Sequence, residues 1–276
     1  MTSGIKRVVL VTGASRGIGR ACARHLADNN YIVYGASRNP GTDPDQKSPN
    51  NFYSIRMDVN DSESVRVGIR KIISEQGQID VLINNAGIVV AGSLEQTTLD
   101  EAKLQFETNF FGMARVCQAV LRHMRDKHSG LIINISSIAG LIGLPYQGFY
   151  SSSKFAIEGY SEALSKEVHS FGIKVVIVEP GDHDTNQLDH RITIKDANTD
   201  PDYSTRFKST MDAIYKDETS GDDPHRLAVR ILKIIRSKRP RLRYVIGPKS
   251  NLLAVLVKKI IPGRWFEKIM ISHYKS

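Results

Sequence analysis

Cysteine is nearly absent from this chain, with two in 276 residues. Cys22 and Cys117 each fall inside a helical pattern, so no disulfide framework is expected and a reducing compartment fits. Neither stands at a metal-ligand spacing, and no metal centre is expected. Long apolar runs are missing too. None reaches the ~18 residues of a spanning helix. The run Val8 to Val11 near the N-terminus is far too short for a signal segment. The expected location is cytoplasmic. Acid is scarce in one region: from Arg226 onward Glu267 is the only carboxylate, and most of the formal net charge of +9 lies there. Zinc spacings, a helix-turn-helix pattern and an RNP-type aromatic strand are all lacking, so the charge reads as a surface property and no nucleic-acid partner is expected.

What is present suits one large α/β domain, since 41% of the residues are hydrophobic. Arg7 to Thr12 reads as a buried strand, a short β-branched run ending at glycine. Thr12-Gly-Ala-Ser-Arg-Gly-Ile-Gly19 follows, then a helical pattern over Arg20 to Asn29. Gly13, Gly17 and Gly19 between a strand and a helix have the context of a dinucleotide fingerprint, with the helix N-terminus facing a pyrophosphate. A second strand, Tyr31 to Ala36, ends at Ser37, Arg38 and Asn39. An NAD site places an acid near there for the ribose 2′-hydroxyl. None is present, and Arg38 with Arg16 would hold a 2′-phosphate, so NADP(H) is favoured over NAD(H).

Further strands are expected at Phe52 to Met57, Ile79 to Ile83, Leu131 to Ile135, Val175 to Val178 and Arg243 to Ile246. Helices are expected from Asp61 to about Glu75, from the capping box at Thr98-Leu-Asp-Glu101 to about His128, and from about Ser151 to Phe171. Asn84-Asn85-Ala86-Gly87 stands at a strand's carboxyl end, facing the crevice of a doubly wound sheet. Between Ser136 and Lys154 lies a polar strand-to-helix stretch. Tyr150 and Lys154 share a helix face, and Ser137 adjoins them. An ammonium beside a phenol favours the phenolate, as proton transfer at an alcohol or ketone needs. That pair alone is an ordinary helix face.

The ordered set of motifs resembles the short-chain dehydrogenase/reductase family over roughly the first 185 residues. The matching positions are Thr12-Gly-x-x-x-Gly-x-Gly19, Asp58, Asn84-Asn85-Ala86-Gly87, Asn109, Ser137, Tyr150-x-x-x-Lys154 and Pro180-Gly-x-x-x-Thr185. The resemblance implies a doubly wound parallel sheet of about seven strands with one dinucleotide site. It implies Tyr150 as general acid or base, Ser137 orienting the substrate oxygen, Lys154 on the nicotinamide ribose and lowering the Tyr150 pKa, and Asn109 in a proton relay through water. Cofactor contacts are implied at Gly13, Ser15, Arg16, Gly17, Ile18, Gly19, Arg38, Asp58, Val59, Asn85, Ala86, Gly87, Tyr150, Lys154, Pro180, Gly181 and Thr185. Of the adjoining serines, family spacing selects Ser137 and leaves Ser136 structural. Relatives pair through the long helices, so a homodimer or homotetramer is expected by resemblance.

The chain departs from the family at Asp182-His183-Asp184, where His183 either touches substrate or caps a turn. The polar stretch 182–224 is expected to cover the substrate as a lid within a catalytic domain over 1–250. Opposite it, Leu141, Leu144, Tyr146 and Phe149 are expected to form an apolar wall with few polar anchors. That wall points to an apolar ketone or alcohol, steroid-, retinoid- or lipid-like, with Ser137, Leu144 and Tyr150 on the substrate. The Arg-Tyr-Val-Ile-Gly-Pro strand and the tail after it resemble the 17β-hydroxysteroid dehydrogenase type 1 and retinol dehydrogenase branch. The tail, 251–276, is basic and apolar at helical spacing. It reads either as a helix pair packed on the core or as a peripheral membrane contact. The rival to an oxidoreductase is a non-catalytic NADP(H)-binding regulator.

Overall fold

A computed structural model describes residues 6–40, 51–184 and 191–274. The first half alternates strand and helix: β1 (Val8–Thr12), α1 (Gly17–Asp28), β2 (Ile32–Ser37), β3 (Phe52–Arg56), α2 (Ser62–Gln76) and β4 (Val81–Asn84). A two-residue strand β5 (Val90–Ala91) precedes α3 (Leu99–Phe106) and α4 (Gly112–Asp126), then β6 (Gly130–Ile135), α5 (Gly148–Glu167) and β7 (Ile173–Pro180). The last third holds β8 (Ile192–Thr193), α6 (Ser204–Thr219), α7 (Pro224–Arg236), β9 (Arg243–Ile246), α8 (Lys249–Ile260) and α9 (Gly263–Tyr274). Seven strands pair in parallel in the order β3-β2-β1-β4-β6-β7-β9.

Strand pleating divides the core into two layers. Val8 and Leu10 face α2, α4 and α5, while Val9 and Val11 face α1 and α7. Both faces are covered, so β1 and β4 are buried along their whole length, as an all-parallel sheet requires. Caps set several boundaries. Asp61 accepts from the Glu63 amide to open α2, and Thr98 and Glu101 form the anticipated capping box on α3.

Three boundaries differ from expectation. The long helix after Thr98 is broken by a π-turn, Glu107–Phe111, which joins α3 to α4. The next helix starts at Gly148, so Tyr150 sits in its first turn. It stops at Glu167, and Gly172 (φ +70°) returns the chain to β7, which runs longer than Val175 to Val178. The order of the sheet reverses between β1 and β4, opening a crevice at their carboxyl ends.

The tail folds as two helices separated at Pro262, whose preceding residue Ile261 is extended. Val255 and Phe266 are buried around Ile142, and Thr210 of α6 donates to the Tyr274 carbonyl (3.0 Å). No helix among the described residues is long and apolar enough to cross a membrane.

Candidate active site

The turn after β1 builds a cradle. Gly13 has a positive φ (+66°), and a Cβ there would approach the Ala86 backbone to 2.8 Å. Gly19 is tighter still: a Cβ would lie 2.4 Å from both Asn85 Nδ2 and the Gly13 carbonyl. Asn85 fills that space, donating to the carbonyls of Thr12 (3.1 Å) and Gly13 (3.2 Å). Thr12 Oγ1 accepts from the amides of Asn85 and Ala86, which ties the ends of β1 and β4 together. The N-terminus of α1 has no side-chain cap and no acid in its first turn. Its free amides face the groove, as an anion requires.

Most predicted cofactor positions line this one groove: Gly13, Ser15, Arg16, Gly17 and Ile18 from the turn, Arg38 after β2, Asp58 and Val59 after β3, and Asn85, Ala86 and Gly87 after β4. Gly19 lies behind it, and its missing side chain admits Asn85. Ser37, Asn60 and Thr108 also line the groove. Sequence reading noted Ser37 only as the end of a strand and passed over Asn60 and Thr108, because isolated polar residues in a loop or helix carry no spacing signal. Two arginines and no acid flank the end of β2, so the residues fit a phosphorylated adenosine ribose.

The groove continues into a second cavity, sharing Ile18, Asn85, Gly87 and Ile88 with it. Ser137, Leu144, Tyr150, Lys154, Pro180 and Gly181 line this cavity together, although β6, α5 and β7 supply them. Thr185 lies outside the described residues. Ser137 Oγ accepts from the Ala139 amide (3.1 Å) and faces the Tyr150 phenol, while Ser136 is buried with its amide on the Val178 carbonyl (2.7 Å). Lys154 Nζ donates to the Ile135 carbonyl (2.9 Å) and stands 5.7 Å from the Tyr150 ring centroid. Asn109 does not line the cavity. It is buried in the π-turn, accepts from the Ile88 amide (2.8 Å) and donates to the Ile88 carbonyl (3.1 Å) and Ser153 Oγ (3.2 Å). It therefore pins the cavity wall to α5 one residue before Lys154.

Burial governs the titration of the pair. It pushes the Tyr150 phenol up to about 12, with Ser137 opposing and the charges of Glu218 and Asp182 adding. It pulls Lys154 down to about 8, against the Glu158 charge. The groups that oppose the rise at Tyr150 are Ser137 and Arg191, not Lys154 as expected. At neutral pH the phenol is a proton donor, the form that carbonyl reduction uses.

The substrate end is not the apolar wall anticipated. Of its four residues only Leu144 lines the cavity. Leu141 packs toward α8 and α9, and Tyr146, at φ +57°, turns its ring onto Phe207 at 5.5 Å. Gln147, Asp182, His183, Asp217, Glu218 and Tyr274 line it instead. Burial raises the carboxyls of Asp182 and Glu218. Asn251 opposes it at Asp182, and Arg191 opposes it at Glu218. Burial, with these nearby carboxylates, also raises the Tyr274 phenol. Asp182 and His183 stood out in the sequence as a departure from pattern. The residues of α6 and α9 gave no local sign, because only docking of distant helices brings them here.

A parallel sheet of this order defines a dinucleotide-binding oxidoreductase fold, with a glycine turn at its switch point and Ser137, Tyr150 and Lys154 beyond it. The sequence model described as short chain dehydrogenase matches residues 7–194, and the chain belongs to that family. It is 46% identical over 271 residues to a 3-ketodihydrosphingosine reductase of Bacteroides thetaiotaomicron, covering 97% of this chain and 98% of the relative. It is 32% identical over 280 residues to an NADPH-dependent 3-dehydrocapnine reductase of Ornithobacterium rhinotracheale, with 98% of each covered. Among solved structures, a short-chain dehydrogenase from Streptomyces avermitilis superposes with a TM-score of 0.82 at 33% identity, covering 97% of this chain and 98% of that one.

Proposed function

We propose that this protein is an NADP(H)-dependent reductase of a ketone carried on a long aliphatic chain, of the 3-ketodihydrosphingosine kind. The observation that carries the reading is a half-buried, protonated Tyr150 phenol beside Ser137 at the end of a groove flanked by Arg16 and Arg38. Bound along this groove by residues such as Arg16, Arg38 and Asn85, NADPH would supply the hydride that the carbonyl carbon takes up, becoming NADP+. Tyr150 gives its proton to the carbonyl oxygen, so one C–H and one O–H bond form. Ser137 orients the oxygen, and Lys154 holds the nicotinamide ribose and resupplies the proton. Asn109 acts by fixing Ile88 and α5. The relative at 46% identity narrows the expected substrate from a steroid-, retinoid- or lipid-like compound to a long-chain amino ketone.

The test is loss of NADPH absorbance on adding 3-ketodihydrosphingosine. Wild type turns over. Tyr150→Phe loses about 10²–10⁴ in rate while keeping NADPH affinity within a few-fold. Retained turnover in that variant removes Tyr150 as the acid.

The tail supports a membrane contact from outside the cavity. Leu252, Leu253, Leu256 and Ile260 of α8 and Trp265, Ile269 and Ile271 of α9 are exposed among Lys249, Lys259, Arg264 and Lys268. Such a surface suits anionic lipid, from which an aliphatic substrate would be drawn. Because Val255, Phe266 and Tyr274 are buried, the probe is substitution rather than truncation. Leu253→Glu with Trp265→Glu abolishes sedimentation with anionic vesicles if the reading holds. A second surface, with Leu99, Leu104, Phe111 and Phe155 exposed on α3, the π-turn and α5, supports pairing of two copies, read by light scattering.

A further inference from the structure

The substrate cavity is electrically unbalanced at one end. Asp182, just after β7, and Asp217 and Glu218, in the last turn of α6, all line it. Glu218 is paired with Arg191 at 2.9 Å, and Asp217 with His273 at 2.8 Å. Asp182 has only a neutral partner, the Asn251 amide at 2.8 Å, and no ion pair among the described residues. Lys154, the cation that lines the same cavity, turns its Nζ to the Ile135 carbonyl.

His183 is an independent sign of a ligand. It lines the cavity and is only 5% exposed. Its Nδ1 lies 2.9 Å from the Gly181 carbonyl, which can only accept, so Nδ1 carries the ring proton. In the singly protonated ring, Nε2 is then a lone-pair acceptor, and it has no partner among the described residues. A buried acceptor left unpaired costs about 1–3 kcal/mol. Anionic oxygens and a nitrogen lone pair in one pocket call for a compact group bearing several N–H donors and a positive charge. A primary ammonium has both. A hydroxyl would satisfy the nitrogen but leave Asp182 unbalanced. A metal ion is a poor alternative, since no group of three potential ligands among the described residues could hold one.

We infer that Asp182 and His183, with the charge of Glu218 close by, form a cation subsite for a primary ammonium beside the carbonyl reduced at Tyr150. This inference rests on the reductase reading and adds which residues choose an amino ketone over a plain ketone. Asp182 and Glu218 are near enough to Tyr150 for their charges to push its phenol up. An ammonium seated between them opposes that push, so the bound amino ketone makes Tyr150 a stronger acid than a neutral ketone does. The subsite therefore acts on kcat as well as on KM.

The experiment compares a long-chain 2-amino ketone with the same ketone lacking the amine, in wild type and in Asp182→Asn and Glu218→Gln. Wild type favours the amino ketone by about 10² in kcat/KM. Each variant lowers that ratio about tenfold, the equivalent of ~1.4 kcal/mol. Glu218→Gln also loses its partner Arg191, so its melting temperature and NADPH affinity are measured alongside, and Asp182→Asn decides if it unfolds. Equal rates on the two ketones in wild type, or a ratio unchanged in Asp182→Asn, overturns the inference while leaving the reductase intact. If neither ketone is reduced, the reductase reading itself fails. Calorimetry of dodecylamine against dodecanol, in the presence of NADP+, then judges the subsite alone. Preference for the amine, lost in Asp182→Asn, supports it, and equal binding overturns it.

Discussion

Replacing Arg243 by methionine should destabilise the protein in a strongly pH-dependent way. Arg243 of β9 donates to Glu179 of β7 at 2.6 Å and also bonds Glu158 and Glu162 of α5. Glu179 and Glu158 side chains are only 1% and 7% exposed, so this guanidinium is the charge that compensates two buried carboxylates. It also ties the helix of Tyr150 and Lys154 to the sheet edge. Removing one partner of a buried pair costs about 3–5 kcal/mol, because the other charge is stranded. At a few degrees per kcal/mol for a chain of this size, the melting temperature falls by roughly 10 °C near pH 8.

The pH dependence follows from Glu158. Burial and the Glu179 charge push its carboxyl up from 4.5 to about 7, while Ser136 and Arg243 oppose the rise. Between those values the folded state binds the extra proton, so stability present below about 4.5 is lost as pH rises through about 7. Without Arg243 the carboxyl rises further and the loss grows. The gap between wild type and variant is therefore small near pH 5 and large near pH 8. Thermal melts across that range measure it, and adding Glu158→Gln and Glu179→Gln to the variant recovers most of the loss. A gap under ~2 °C at both ends, or one that does not change with pH, refutes the stranded-carboxylate argument.

Three other outcomes are expected. Reduction should fall as pH rises through about 8, where Lys154 loses its proton; a kcat/KM profile flat to about pH 10 would remove its charge from the mechanism. Gly19→Ala should cut NADPH affinity at least tenfold, since its Cβ meets Asn85 Nδ2 and the Gly13 carbonyl at 2.4 Å; fluorescence titration reading wild-type affinity would contradict the packed cradle. Arg38→Asp should shift preference from NADPH toward NADH, because an acid repels a 2′-phosphate and accepts from a 2′-hydroxyl; an unchanged ratio of specificity constants would displace the phosphate from Arg38.

Much of this protein could be read from local pattern. The β-branched run before Gly13 can only be a strand buried on both faces, and Asp61 and Thr98 cap helices through bonds within three residues of themselves. Gly13 was likewise visible from its place between a strand and a helix, whereas Asn85, Ser137, Tyr150 and Lys154 stood out only through the ordered resemblance to the family, since each alone is an ordinary polar position. The π-turn at Asn109 was not visible, since that side chain bonds the Ile88 backbone in a distant loop.

The character of the substrate end belonged to the tertiary structure alone. Read along the chain, Leu141 to Phe149 looked like an apolar lining. In the fold Tyr146 turns away to Phe207, and Leu141 packs toward the tail. Asp217 and Glu218 lie on α6 and Tyr274 at the end of α9, and they meet at the cavity because α6 docks on α9, whose Phe266 packs at Ile142. Sequence determined the sheet and the dinucleotide turn through short-range geometry. Long-range packing decided that the pocket is acidic, since a charge acts on what surrounds it in space, however far away it lies in the chain.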